Sequence, residues 1–169
     1  MPPDPFTALG LEPRFDLSRE DIERSYLSRV SVQHPDARPS DAAANAPAAD
    51  LNDARAVLLD PERRAGALLA RLGGPAPEKD KSLPPAFLAE MMEIRENLED
   101  ARRGSDPSRL DHWRAWSRQR RAAMIEEVAG LFTSLPPSPA PSALGAVRRT
   151  LNAWRYIERM IEQMEDQPR

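Results

Sequence analysis

The 169-residue chain contains no cysteine, so it can form neither a disulfide bond nor a thiolate site for a nucleophile or metal ion. Histidine is almost as scarce, because His34 and His112 are the only two and cannot build a histidine metal site by themselves. Aromatic residues make up 5% of the chain, and residues that favour strands are few. We therefore expect no cofactor and no resident metal, and an all-α fold.

The chain also lacks a concentration of positive charge. Its formal net charge is −3 at pH 7, which argues against a nucleic-acid binder because phosphate contacts need a strongly positive surface. The sequence shows no signal peptide and no apolar stretch of membrane-spanning length. A soluble cytoplasmic protein is expected, without nucleic-acid or membrane binding. The sequence contains no glycine-rich phosphate loop and no convincing nucleophile–base pair, so no motif in it indicates an enzyme.

Proline, in contrast, is plentiful, and its 18 positions divide the chain. A linker is predicted at residues 75–83, where glycines and prolines precede a charged run. This gives two small helical domains, residues 1–74 and residues 84–169. The prolines and the apolar periodicity predict helices at about 5–11, 18–33, 48–60 and 61–72 in the first domain and 84–103, 107–134 and 142–166 in the second.

The second predicted helix has a clear start and one apolar side. Ser18 is placed to cap its first turn, and Asp21 is placed to reciprocate. Ile22, Tyr26 and Val30 then recur every four residues and form one stripe. Pro35 is expected to end this helix near Gln33.

The tripeptide His34-Pro35-Asp36 follows this amphipathic helix. Further along the chain come Leu51-Asn52-Asp53-Ala54 and Asp60-Pro61-Glu62-Arg63-Arg64-Ala65. In this order the three segments resemble the J domain, an antiparallel helical hairpin with short additional helices. The resemblance implies docking on a heat-shock ATPase chaperone of the HscA or DnaK type and activation of its ATP hydrolysis in trans.

The expected chaperone-binding residues are His34, Pro35, Asp36, Arg24 and Arg29. J domains usually carry a basic face on the helix before this tripeptide, which steers them toward an acidic partner. The basic residues of this helix are interspersed with acidic ones: Arg19, Arg24 and Arg29 stand among Glu20, Asp21 and Glu23. The sequence alone therefore indicates a weak basic face.

The second domain begins with Phe87-Leu88-Ala89-Glu90-Met91-Met92-Glu93-Ile94-Arg95-Glu96. This segment resembles the HscB family, the J-type co-chaperones of iron–sulfur cluster assembly, and with the first domain the resemblance spans nearly the whole chain. It implies a C-terminal three-helix bundle that binds the cluster scaffold protein. The scaffold-binding positions of the family match Leu88, Ala89, Met92, Glu93, Glu96, Asp100 and Tyr156 of this sequence.

Helical periodicity supports part of this assignment independently. Phe87, Met91, Ile94 and Leu98 fall on one narrow stripe, which predicts the seam of the bundle. Leu88 lies roughly 100° away from that stripe by helical geometry, and Met92 follows it on the next turn. Two apolar side chains outside the seam, near carboxylates, are typical of a partner-binding surface.

Two alternatives remain open at this stage. The J domain could serve a different client protein, or the chain could be a structural helical adaptor with a degenerate J domain, for which the weak basic face is the main support. In each case the chain itself carries no catalytic residue. Because it lacks cysteine, we do not expect it to hold an iron–sulfur cluster.

Overall fold

The computed structural model describes residues 4–32, 48–104 and 107–165. Within these ranges the chain forms seven helices and no strand, which confirms the all-α prediction. In chain order the helices are α1 Pro5–Leu9, α2 Arg19–Val32, α3 Ala48–Leu59, α4 Pro61–Arg71, α5 Phe87–Arg103, α6 Pro107–Ser134 and α7 Pro141–Glu165.

Contacts between Cα atoms divide the chain into two compact units, Met1–Gly73 and Gly74–Arg169. The first unit contains α1 to α4, and the second contains α5 to α7. The division falls where the sequence has two consecutive glycines.

Local capping sets the start of α2. The backbone N–H of Asp21 donates to Ser18 Oγ at 3.0 Å, as expected for a serine cap. The Asp21 carboxylate accepts a hydrogen bond from the Ser18 hydroxyl at 2.7 Å. Leu17 before the cap and Ile22 inside the helix are both buried, and they anchor the first turn of α2 in the core.

The helices α2 and α3 form an antiparallel hairpin. Glu23 of α2 contacts Arg55 of α3, and Tyr26, one turn further along α2, contacts Asn52, one turn earlier on α3. The pairing runs in opposite directions along the two helices, so their axes are antiparallel. The largest fully buried side chains of this unit are Phe6, Leu9, Ile22, Leu51, Leu58 and Leu69.

A buried arginine joins α4 to the rest of the first unit. Arg64 Nη1 donates to the carbonyl oxygen of Leu58 at 2.7 Å, and the guanidinium lies 5.2 Å from the centre of the Phe15 ring. Burial lowers the pKa of Arg64, while the nearby Asp60 and Asp16 charges oppose that shift. Asp60 also caps α4, because its Oδ1 accepts from the Arg63 amide at 3.1 Å.

The second unit is built around α7, whose inner side is apolar along most of its length. Leu144, Val147, Leu151, Trp154, Ile157 and Ile161 are all buried. Met124 and Val128 of α6 and Phe87, Met91 and Leu98 of α5 are buried as well. This is the helical bundle expected from the sequence.

The segment 75–83 lies within the second unit and is held by two side chains of α7. Arg148 Nε donates to the carbonyl oxygen of Pro75 at 2.8 Å. Asn152 Nδ2 donates to the carbonyl oxygens of Asp80 and Ser82, each at 2.9 Å. These bonds satisfy backbone acceptors of a segment that lies outside the helices. The amides of Lys79 and Asp80 close a turn within it by donating to the carbonyl oxygen of Ala76.

Candidate functional site

Two of the expected chaperone-binding residues lie on α2 within the described part of the chain. The other three, His34, Pro35 and Asp36, lie outside the described residues. Arg24 is exposed, and its Nη1 lies 3.0 Å from Asp21 Oδ1 one turn earlier on the same helix. A surface ion pair of this kind is weak, so the Arg24 side chain can exchange Asp21 for a partner at little cost.

Arg29 lies against the turn that follows α1. Gly10 has a φ of 68°, a left-handed conformation that glycine adopts readily and that closes α1 two residues before the predicted end. A side-chain carbon at Gly10 would collide with the Arg29 guanidinium. Arg29 is therefore partly buried within the first unit, on a different side of α2 from Arg24.

The structure pairs Glu23 with an arginine that the sequence analysis missed. Arg55 of α3 binds the Glu23 carboxylate with two hydrogen bonds, from Nε and from Nη2, each 2.7 Å long. The guanidinium also lies 5.1 Å from the centre of the Tyr26 ring, and the Tyr26 hydroxyl donates to Asn52 Oδ1 at 2.7 Å. Glu23 is therefore neutralised mainly by an arginine of α3, although its Oε1 also lies 3.9 Å from Arg19 Nη1 on α2.

The Arg55 pair changes the ionisation of both partners. The hydrogen bonds from Arg55 lower the pKa of Glu23 below its usual value of 4.5, and the same bonds raise the pKa of Arg55. Because 32 residues separate the two in sequence, no helical periodicity relates them. The only sequence signal that could have found the pair is the antiparallel hairpin implied by the J-domain resemblance.

Replacing Glu23 by glutamine is expected to make the protein's stability less sensitive to acid. A carboxylate with a lowered pKa in the folded state stabilises the fold fully above its unfolded-state pKa, and this contribution disappears as the pH falls through the folded-state value. The midpoint of thermal unfolding, followed by circular dichroism between about pH 6 and pH 3, should fall more steeply for the unmodified protein than for Glu23→Gln. Glu20→Gln, an exposed change on the same helix, is the control, and parallel curves for all three proteins would contradict the prediction.

The second candidate site is a partly apolar side of α5, which we call the α5 surface: Leu88, Ala89, Met92, Glu93, Glu96 and Asp100. All six residues are exposed. Leu88 is 52% exposed and Met92 is 63% exposed, whereas Phe87 and Met91, their neighbours in sequence, are buried in the bundle. Asp100 Oδ1 lies 3.4 Å from Arg103 Nη1 on the next turn. Apolar side chains beside carboxylates can bind a protein partner but have no chemistry of their own.

Tyr156, the remaining expected scaffold-binding residue, belongs to α7, and its side chain contacts the first residue of α5, Phe87. Its ring meets the Phe87 ring edge-on, with the centroids 5.6 Å apart and the planes at 85°. This geometry is favourable for aromatic pairs. Because Phe87 is buried and immediately precedes Leu88, the contact places Tyr156 beside the N-terminal end of the α5 surface.

The described residues contain neither a metal-binding cluster nor a membrane-spanning helix. Among them, no group of three or more histidine, aspartate or glutamate side chains could hold a metal ion. In the same part of the chain, no helix is both long and apolar enough to cross a membrane. The two candidate sites lie one in each unit.

Comparison with known proteins matches both parts of the chain. A family profile described as the DnaJ domain matches residues 4–66, and another, described as the HSCB C-terminal oligomerisation domain, matches residues 83–165. The chain is 34% identical to a co-chaperone protein HscB homolog of Ralstonia nicotianae, over 75% of this chain and 76% of that protein. It is 30% identical to the Bordetella pertussis homolog, over 95% of this chain and 94% of that protein. The crystal structure of human co-chaperone protein HscB superposes on this chain with a TM-score of 0.74, over 96% of this chain and 81% of the human chain. At 20% sequence identity, this match shows a similar fold.

Proposed function

Because the chain belongs to the HscB family of J-domain co-chaperones, we propose that it acts in the cytoplasm, where it stimulates ATP hydrolysis by a heat-shock ATPase chaperone and delivers an iron–sulfur cluster scaffold protein to it. The observation that carries the proposal is that the chain has both a J-domain hairpin and an exposed apolar pair, Leu88 and Met92, on a helix that buries Phe87, Met91 and Leu98. Each unit would thus have a binding surface of its own.

The first unit would dock on the chaperone through α2 and the segment His34-Pro35-Asp36. Proline fixes one backbone dihedral, which lowers the entropy lost when the segment is ordered against a partner. The Asp36 carboxylate would accept charge-assisted hydrogen bonds from an arginine of the chaperone. No bond is made or broken by these residues, because the hydrolytic groups belong to the chaperone.

The second unit would bind the scaffold protein through the α5 surface and Tyr156. Leu88 and Met92 would supply the apolar centre of the interface, and Glu93 and Glu96 its polar margin. The cluster itself is cargo in this scheme. Its ligands would come from the scaffold, since this chain has no cysteine.

Steady-state ATP hydrolysis by the chaperone tests the proposal directly. The rate should rise when this protein is added, and it should rise further, more than additively, when the scaffold protein is also present. The His34→Gln variant should lose the stimulation because the docking segment is altered, yet it should still bind the scaffold.

The result distinguishes the proposal from its alternatives. Stimulation that depends on His34 but does not respond to the scaffold would indicate a different client. No stimulation under any condition would contradict the proposal and favour a structural adaptor. Loss of scaffold binding in His34→Gln would show that the substitution had damaged the whole protein.

A further inference from the structure

The exposed side of α2 has a large apolar residue at its centre. Leu27 is 62% exposed. In the part of the chain that the structure describes, the other exposed large hydrophobic residues are Leu72, Leu88 and Met92. Helical geometry places five further residues of α2 within roughly 60° of Leu27 around the helix axis. One of them, Val30, is half-buried and belongs to the apolar side of the helix. Leu27 and the four polar residues form what we call the α2 stripe: Glu20, Glu23, Arg24, Leu27 and Ser31.

The charges of the α2 stripe nearly cancel. Arg55 neutralises Glu23 through two hydrogen bonds, and Asp21 lies 3.0 Å from Arg24. Glu20 is exposed and adds a negative charge. With this balance the α2 stripe has little positive potential to attract an acidic partner.

What the α2 stripe offers a partner is the apolar area of Leu27. A large apolar side chain framed by polar ones is the arrangement found at the centre of protein interfaces, where the surrounding residues exclude water. The side chain does not contribute to the core, because most of its surface is accessible to solvent. Its exposure therefore has no explanation in the folding of the first unit.

We infer that Leu27 is the central apolar contact of α2 with the heat-shock ATPase chaperone and inserts into an apolar depression of that partner, so that this docking depends on buried area more than on charge. The inference rests on the proposed function. The chaperone is the expected occupant because Leu27 precedes His34 by only seven residues, which joins the α2 stripe to the predicted docking segment.

The test compares Leu27→Ala with the unmodified protein in the chaperone ATPase assay. The concentration of co-chaperone that gives half-maximal stimulation should rise about tenfold, as expected when a leucine no longer buries its apolar area against a partner. The maximal rate at saturation should change little, because His34-Pro35-Asp36 is intact. Leu27→Gln, which keeps the length of the side chain and removes its apolar character, should give the same shift.

Leu72→Ala is the matched control. Leu72 is 37% exposed and belongs to the first unit, so the same substitution there should leave the half-maximal concentration unchanged. The thermal unfolding midpoint of the Leu27 variants should equal that of the unmodified protein, since an exposed side chain supports little of the core.

Ionic strength gives a second, independent readout. For the unmodified protein the half-maximal concentration should rise less than about threefold between about 50 and 300 mM salt, because apolar contacts are not screened. The inference would be overturned if the half-maximal concentration rose tenfold over this range and had the same value for Leu27→Ala as for the unmodified protein. Docking would then depend on charge.

Failure of this inference can be told apart from failure of the proposed function. If His34→Gln abolishes stimulation while Leu27→Ala and Leu27→Gln behave like the unmodified protein, only the role of Leu27 is wrong. If the unmodified protein does not stimulate the chaperone at all, both are wrong. A change of oligomeric state in Leu27→Ala, measured by sedimentation, would overturn the inference by making a second copy of the chain the occupant.

Discussion

Replacing Met91 by alanine is expected to lower the free energy of unfolding of the second unit by about 2–5 kcal/mol, whereas the same change at Met92 should leave it nearly unaltered. Met91 is 0% exposed and Met92 is 63% exposed, although they are adjacent in the chain. Truncation of Met91 would leave a cavity between α5 and the rest of the bundle. Truncation of Met92 would remove atoms that already contact water.

Tryptophan fluorescence during denaturant unfolding measures this difference in one unit only. All three tryptophans of the chain, Trp113, Trp116 and Trp154, lie in the second unit. The midpoint should shift for Met91→Ala at constant slope, which is the signature of a change in stability. Equal shifts for the two variants would mean that α5 does not present Met92 to solvent, and the α5 surface would then be wrongly assigned.

Replacing Leu88 and Met92 together by alanine is expected to weaken scaffold binding about 30-fold or more, a loss of at least about 2 kcal/mol, because interface energy concentrates in a few central apolar residues. The two side chains are the largest exposed apolar groups of the second unit within the described residues. Titration calorimetry with the purified scaffold protein measures the loss. The additional ATPase stimulation caused by the scaffold should disappear with it.

The double variant should keep its intrinsic stimulation of the chaperone, because the J domain is untouched. His34→Gln is the reciprocal control, with scaffold binding intact and stimulation lost. His112→Ala, an exposed change on α6 of the second unit, should affect neither activity. Normal scaffold affinity in the double variant would contradict the assignment of the α5 surface and would indicate that the scaffold binds elsewhere.

The charge of α2 shows how tertiary structure changes an interpretation of the sequence. Alternating acidic and basic residues suggested a weak basic face, and that pattern was the main support for a degenerate J domain. The structure pairs Glu23 mainly with Arg55 of α3, at 2.7 Å, and more distantly with Arg19 of α2, at 3.9 Å. It also places Arg29 against Gly10 rather than beside Arg24. The exposed α2 stripe is thus nearly neutral, with Leu27 at its centre.

The sequence by itself determined the fold class, the family and most helix boundaries. Prolines, capping residues such as Ser18 and Asp60, and the spacing of apolar residues act within one or two turns, so they can be recognised without knowing what a helix packs against. The same local rules separated buried Met91 from exposed Met92. The end of α1 differed from the prediction because Gly10 takes a left-handed conformation, with a φ of 68°, which closes the helix after Leu9.

Only the tertiary structure decided which side chains meet across helices. Glu23 with Arg55, Tyr156 with Phe87, and Arg148 with the carbonyl of Pro75 are contacts between residues far apart in the chain. Periodicity fixes the angle of a side chain around its own helix axis, but it does not say which neighbouring helix lies at that angle. The physical reason is that such pairs depend on how whole helices pack, and packing is determined by the core of each unit rather than by any short segment.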